Sequence, residues 1–231
     1  MNADATILHE VLTGSFGGVM AKLSSVLLVV DVQNDFCPGG ALAVPSGDAV
    51  VPVINRVSEK FSRVVLTQDW HPAGHLSFAS SHPGREPFGS VELPYGAQTL
   101  WPNHCVQGSR GADFHRDLNT VKADLILRKG LHKDIDSYSA FFENDRKTPT
   151  GLAGYLRERS IKSVHICGLA TDYCVFYSAI DAKRLGFSVS LVEDACRGIN
   201  LNNSVELAKR EMASAGVVFT VSEKLSTSGE K

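Results

Sequence analysis

Six short apolar runs are spaced along the chain, and most are followed by a stretch whose apolar residues recur at helical spacing. Residues 26–30 form the first, and Val50, Val53, Ile54, Val57 and Phe61 then fall on one helical face before a second run at 64–67. Residues 124–129 give a third strand. Thr148 and Pro149 predict an N-cap and first helical position ahead of Leu152, Tyr155 and Leu156. Residues 163–167 read as the fourth strand. A helix from about Asp172 turns Val175, Ala179 and Ala182 inward and stops at Gly186, before a strand at 187–192. Asn203 with Glu206 predicts a capping box for the last helix, and residues 217–220 the final strand. Alternation of this kind predicts an α/β fold with a mostly parallel, helix-covered sheet.

With 231 residues and 43% hydrophobic content, the chain suffices for one domain with a sizeable core. A formal charge of -2 and the lack of any basic run argue against a nucleic-acid partner. Five scattered cysteines, an odd number, argue against a disulfide framework and for a reducing compartment. The N-terminus lacks a basic segment with a continuous apolar core, and the run at 26–30 falls far short of the roughly 20 residues a membrane span needs. The reading is cytoplasmic, with no membrane partner. Residues 1–22 read as an N-terminal extension, non-native or disordered, with Met20 as an alternative start; residues 23–231 read as a single domain.

In open parallel sheets, ligands gather beyond the carboxyl ends of the strands. Asp31 follows the first strand, Lys129 ends the third, and Cys174 opens the helix after the fourth. A thiol near a helix N-terminus and an ammonium is favoured as thiolate, and a carboxylate can take and return its proton. The tight turn 168–172 aims backbone N–H groups beside the sulfur, where they could hold an acyl-transfer oxyanion. Taken singly, the same residues read as a small buried hydrophobe, a turn cap and a solvated charge. The region from Asp69 to about Asp117 is rich in Pro, Gly, His and Ser with little periodicity, the mark of a functional loop. Within it Asp69, His71, His75 and His104 offer a carboxylate and imidazoles to a divalent ion from a folded loop, because Pro72 and Gly74 preclude helical presentation. The alternative is a polar loop with solvated histidines.

The stretches VVDVQNDFCPGGALAV, TQDWHPAGHLSFAS, LWPNHCVQGSRGADFH, LRKG, YSAF and GLATDYCV resemble, in that order, the nicotinamidase/pyrazinamidase group of the isochorismatase-like cysteine hydrolase family. The resemblance covers nearly everything from Val26 onward. It implies a three-layer αβα fold with a six-stranded sheet and a Cys174, Asp31 and Lys129 triad. It further implies an oxyanion hole at Ala170 and Cys174 and a cis Leu169–Ala170 peptide. Phe36, Trp101 and Tyr138 would wall a ring pocket beside one divalent metal on Asp69, His71, His75 and His104, zinc first, with iron or manganese as alternatives. The implied activity is hydrolysis of nicotinamide to nicotinate and ammonia through a thioester, with pyrazinamide as a second substrate and NAD salvage as the setting. The open site with a vacancy for a ring nitrogen is preferred over a closed tetrahedral one. Self-association is left open.

Three other readings compete. A hydrolase of carbamoyl or ureido compounds would share the triad, but by resemblance those relatives usually lack the histidine set. A silent ligand-binding member should have lost part of the triad. A thiol redox protein would need a resolving cysteine within CxxC reach of Cys174, and none is there.

Overall fold

Strand β1 (Ser25–Val30) is built from Val and Leu that are almost wholly buried beyond its first residue, as expected of a strand covered on both faces. The computed structural model describes residues 24–225, so the expectations on residues 1–22 and on the last residues of the domain lie outside it. The chain continues through helix α1 (Val51–Ser58), β2 (Val64–Asp69), the hairpin β3 (Ser90–Leu93) and β4 (Gly96–Thr99), and β5 (Ala123–Lys129). Helix α2 (Leu152–Glu158), β6 (Ser163–Leu169), a π-helical turn (Thr171–Val175), α3 (Phe176–Arg184), β7 (Ser188–Arg197), α4 (Ser204–Ser214) and β8 (Val218–Thr220) follow.

The main sheet has six strands in the order β5-β2-β1-β6-β7-β8, and every neighbouring pair is parallel. The chain steps from β1 outward to β2 and β5, then recrosses to β6 and runs the other way to β8. With right-handed crossovers, that reversal puts α1 on one face and α3 and α4, which pack together, on the other. The result is the αβα layering. Its switch point lies between β1 and β6, where a crevice opens at the carboxyl ends of the strands. Sheet order also sets Lys129, Asp69, Asp31 and the turn bearing Cys174 at the ends of four strands lying side by side.

Three local expectations are corrected. Thr148 does not cap α2: its hydroxyl donates to Asp145 Oδ2 at 2.7 Å, Pro149 bridges to Phe142, and the helix opens three residues later than expected, after Gly151, which sits at φ +96°. Asn203 has φ +65° and makes no side-chain cap, while Glu206 pairs instead with Arg210 at 3.1 Å, so no capping box forms. The loop after β2 carries the β3–β4 hairpin in its midst. Among the described residues no helix is long and apolar enough to cross a membrane.

Candidate active site

Asp31 follows β1 in a left-handed conformation, φ +49°, and its backbone N–H donates to Thr67 Oγ1 at 3.1 Å. The Thr67 hydroxyl donates in turn to Asp31 Oδ1 at 2.6 Å, fixing the carboxylate from β2. Next to β1, Gly168 is the penultimate residue of β6 and has φ +115°, and a Cβ there would meet the Val30 carbonyl oxygen at 2.1 Å. Only glycine admits this approach, which carries the chain through the cis Leu169–Ala170 peptide into the turn bearing Cys174. Lys129, wholly buried at the end of β5, joins the parts. Its Nζ lies 2.9 Å from Asp31 Oδ2, 2.9 Å from Asp69 Oδ1, 2.8 Å from the Ser137 carbonyl and 3.5 Å from Cys174 Sγ. The three residues singled out at strand ends therefore meet at one point, with Asp69 as a fourth.

Burial opposes a charged Lys129, but Asp31 and then Asp69 outweigh it and hold the ammonium well above its ordinary pKa. Burial likewise pushes the Cys174 thiol well up; Lys129 opposes this, and Asp31 and Asp69 reinforce it. Burial and Asp31 thus favour the thiol form of Cys174, against the pull of the Lys129 cation. Asp31 is raised, by burial first and Asp69 in part, against the pull of Lys129 and Thr67. A raised carboxylate is a better acceptor for a thiol proton.

Asp69 uses its two oxygens differently. Oδ1 faces Lys129, while Oδ2 lies 2.9 Å from His71 Nε2 and 3.4 Å from His104 Nε2. These three donors lie within 4.8 Å of one another and are buried. The outer nitrogens are engaged: His71 Nδ1 with the Gly130 carbonyl at 3.1 Å and His104 Nδ1 with the Pro102 carbonyl at 2.9 Å. Both Nε2 atoms thereby face the shared space, the second-shell pattern of metal-binding histidines. The donor set fits a divalent ion. His75 adjoins this group, its ring centroid 4.2 Å from that of His71. Its Nδ1 accepts from the Ser77 N–H at 3.2 Å, its Nε2 lies 3.3 Å from the Ile135 carbonyl, and burial lowers its pKa to about 4. It also forms a second triplet with His71 and Asp136, which shares His71 with the first.

Gly130 has φ +68°, and a Cβ on it would stand 2.5 Å from His71 Cε1. Gly130→Ala is accordingly expected to displace the His71 ring, destabilise the fold by about 1–3 kcal/mol and lower metal content. Melting temperature and elemental analysis read both effects; wild-type values in each would show that the ring is not held by this contact.

A small pocket opens over Cys174, lined among others by Phe36, Trp101, Tyr138, Ala170 and Ile199. Trp101 Nε1 donates to the Tyr138 hydroxyl at 3.0 Å, and the Phe36 and His104 ring centroids are 5.5 Å apart. The structure adds residues that sequence reasoning missed. Asp136 lines the pocket, 4.0 Å from His71 Nε2, and accepts from Gln98 Nε2 at 2.8 Å. Gln98 comes from β4, which explains the hairpin's place in the loop. A signal for Asp136 existed in its closeness to Tyr138, two residues on, but nothing periodic marked it.

The isochorismatase domain family matches residues 25–224. The chain is 54% identical over 191 residues to the nicotinamidase of Acinetobacter baylyi, spanning 83% of this chain and 89% of that one. Its fold superposes with a TM-score of 0.87 on an Acinetobacter baumanii nicotinamidase/pyrazinamidase at 54% identity, covering 88% and 99% of the two chains. The pyrazinamidase of Pyrococcus horikoshii, solved in complex with zinc, gives a TM-score of 0.69 at 39% identity over 86% and 99%.

Proposed function

The chain belongs to the isochorismatase family, and from that footing we propose that it is a nicotinamidase, hydrolysing nicotinamide to nicotinate and ammonia and also deamidating pyrazinamide. The observation that carries this reading is the position of Lys129 between Asp31, Asp69 and Cys174, since it puts a nucleophile, a proton carrier and the donor set of a metal within one crevice.

In the proposed course, Asp31 takes the thiol proton as sulfur attacks the carboxamide carbon, and the Ala170 and Cys174 N–H groups hold the oxyanion. Amides in the first turn of a helix lack intrahelical partners and are available for that task. Asp31 then delivers the proton to the departing nitrogen, the C–N bond breaks, and ammonia leaves behind a thioester. A water, deprotonated by Asp31, cleaves the thioester to nicotinate and restores the thiol. Lys129 keeps its charge throughout and offsets the negative charge on the sulfur. Phe36, Trp101 and Tyr138 enclose the ring. Asp69, His71, His75 and His104 would hold one divalent ion; when bound, the ion supplies a Lewis-acidic position for the ring nitrogen. Zinc heads the choice of metal, consistent with the zinc complex of the Pyrococcus horikoshii relative. All five cysteines are free and buried, which suits the reducing cytoplasm and a role in NAD salvage.

Ammonia release from nicotinamide, measured before and after chelation and after adding back zinc, iron or manganese in turn, tests the reading. Turnover that falls on chelation and returns with one ion is expected. Release from ureido or carbamoyl compounds with none from nicotinamide would replace it by the rival hydrolase. His71→Ala should lower metal content and weaken nicotinamide binding, whereas Cys174→Ala should leave metal content unchanged. Equal metal loss in both variants would make Cys174 a ligand and sink the mechanism.

A further inference from the structure

Two residues before the nucleophile, Asp172 is a buried carboxylate that takes no part in the proton transfers above. It faces away from the triad and accepts from the Ile199 N–H at 3.0 Å, the Asn200 N–H at 2.8 Å and the Ser204 hydroxyl. Two of these donors lie in the segment between β7 and α4, and the third is the first residue of α4. Gly198 lets that segment press close: a Cβ there would stand 2.3 Å from Val205 Cγ2 and 3.0 Å from Asp172 Oδ1. Ile199 lines the substrate pocket together with Phe36 and Trp101.

The segment does not favour this shape by itself. Asn200, Asn202 and Asn203 have φ of +60°, +51° and +65°, a region that costs non-glycine residues energy even though asparagine tolerates it best. Such a run persists only where the surroundings enforce it. Asp172 bonds the first of these asparagines, Asn200, through its N–H and grips both ends of the segment at Ile199 and Ser204, and bonds from N–H groups to a carboxylate are about twice as strong as neutral ones.

We infer that Asp172 is a positioning residue for substrate affinity, latching the 198–204 segment to the turn that carries the nucleophile and so holding Ile199 as a wall of the ring pocket. The nucleophile and the ring wall then form one unit, and a bound ring meets a thiol whose distance from that wall is set by a single carboxylate. This rests on nicotinamide being the substrate. Asp172→Asn replaces one acceptor oxygen by an NH2 group that faces N–H donors, which breaks the latch with little change in volume.

The test is a double-substitution cycle of Asp172→Asn and Ile199→Ala, with kcat and KM for nicotinamide, protection of Cys174 from iodoacetamide by nicotinate, and melting temperature. Wild-type ammonia release comes first: its absence refutes the proposed function and leaves the latch to be judged by the protection constants. Each single variant is expected to raise KM and weaken protection about ten-fold, equivalent to about 1.4 kcal/mol, with kcat and the unprotected alkylation rate near wild type. The double variant should be no worse than either alone, because both remove the same wall. A ten-fold loss in kcat with KM unchanged would overturn the inference, and so would single effects that multiply in the double variant. Should Asp172→Asn fail to fold, Ser204→Ala takes its place in the cycle, with the same non-additivity expected and the same multiplication refuting it.

Discussion

Cys174→Ala is expected to bring nicotinamide hydrolysis down to background, a loss on the order of 10⁴-fold or more, because no other group in the crevice can form the covalent intermediate. The fold should survive. Cys174 lies in a buried turn, and exchanging its sulfur for hydrogen leaves a small void costing about 1 kcal/mol, a modest fraction of a domain's stability. Ammonia release beside a thermal melt measures both quantities. Turnover within ten-fold of wild type in a folded variant would mean that another residue attacks the amide.

Lys129→Met should be nearly as damaging to activity and far more so to stability. The ammonium is buried against Asp31 and Asp69, so its removal leaves two carboxylates with no cation between them. Breaking a buried pair in this way costs about 3–5 kcal/mol. The pH dependence follows from the directions of the shifts. Lys129 is raised, so its stabilisation is fully present below the ordinary lysine range and is lost only as pH rises through the higher folded value. Asp69 is held well below the usual carboxylate range, against burial, by His71 and Lys129, so its contribution is present above that range and fades as pH falls through the folded value. In the variant the uncompensated carboxylates are relieved by protonation. The stability gap should therefore be full at neutral pH and narrow on acidification. Alkylation of Cys174 in the folded variant should also require higher pH, since the one group that opposed its elevated pKa is gone. A gap that does not change with pH, or an alkylation profile that stays in place, would remove Lys129 from this role.

The strands were legible because parallel, doubly covered strands read as continuous apolar runs, and β1, β2 and β6 are of that kind. The helix starts were less so. Thr148 and Asn203 carry the right side chains for caps, but Thr148 is drawn off by Asp145 and Asn203 by its left-handed backbone, choices made by tertiary contacts that spacing does not encode. Strand-end placement by itself singled out Asp31, Lys129 and Cys174. It could not reveal that Lys129 is buried between two carboxylates, because the preceding residues of β5 alternate with exposed ones and suggest a surface strand. The four-residue donor set came from a loop motif, and in the structure His75 adjoins His71, their ring centroids 4.2 Å apart, with its Nδ1 held by Ser77. Asp136 and Asp172 stayed hidden for a related reason: each does its work across the chain, on Gln98 and His71 in one case and on Ile199 and Asn200 in the other.

Lys129, Asp69, Asp31 and the Cys174 turn end four adjacent strands, so the ladder spacing of about 4.8 Å, and not the length of any connection, sets the distances among them. This divides the chain into parts that can drift and parts that cannot. An insertion between β3 and β4, or in the segments joining β5 to α2, lengthens a connection and leaves the row intact. Deleting one residue inside β1, β2 or β5 turns every later side chain of that strand to the opposite face and takes a member out of the row. Length variation among descendants of this chain should thus collect in the connections, while the strands diverge by substitution alone.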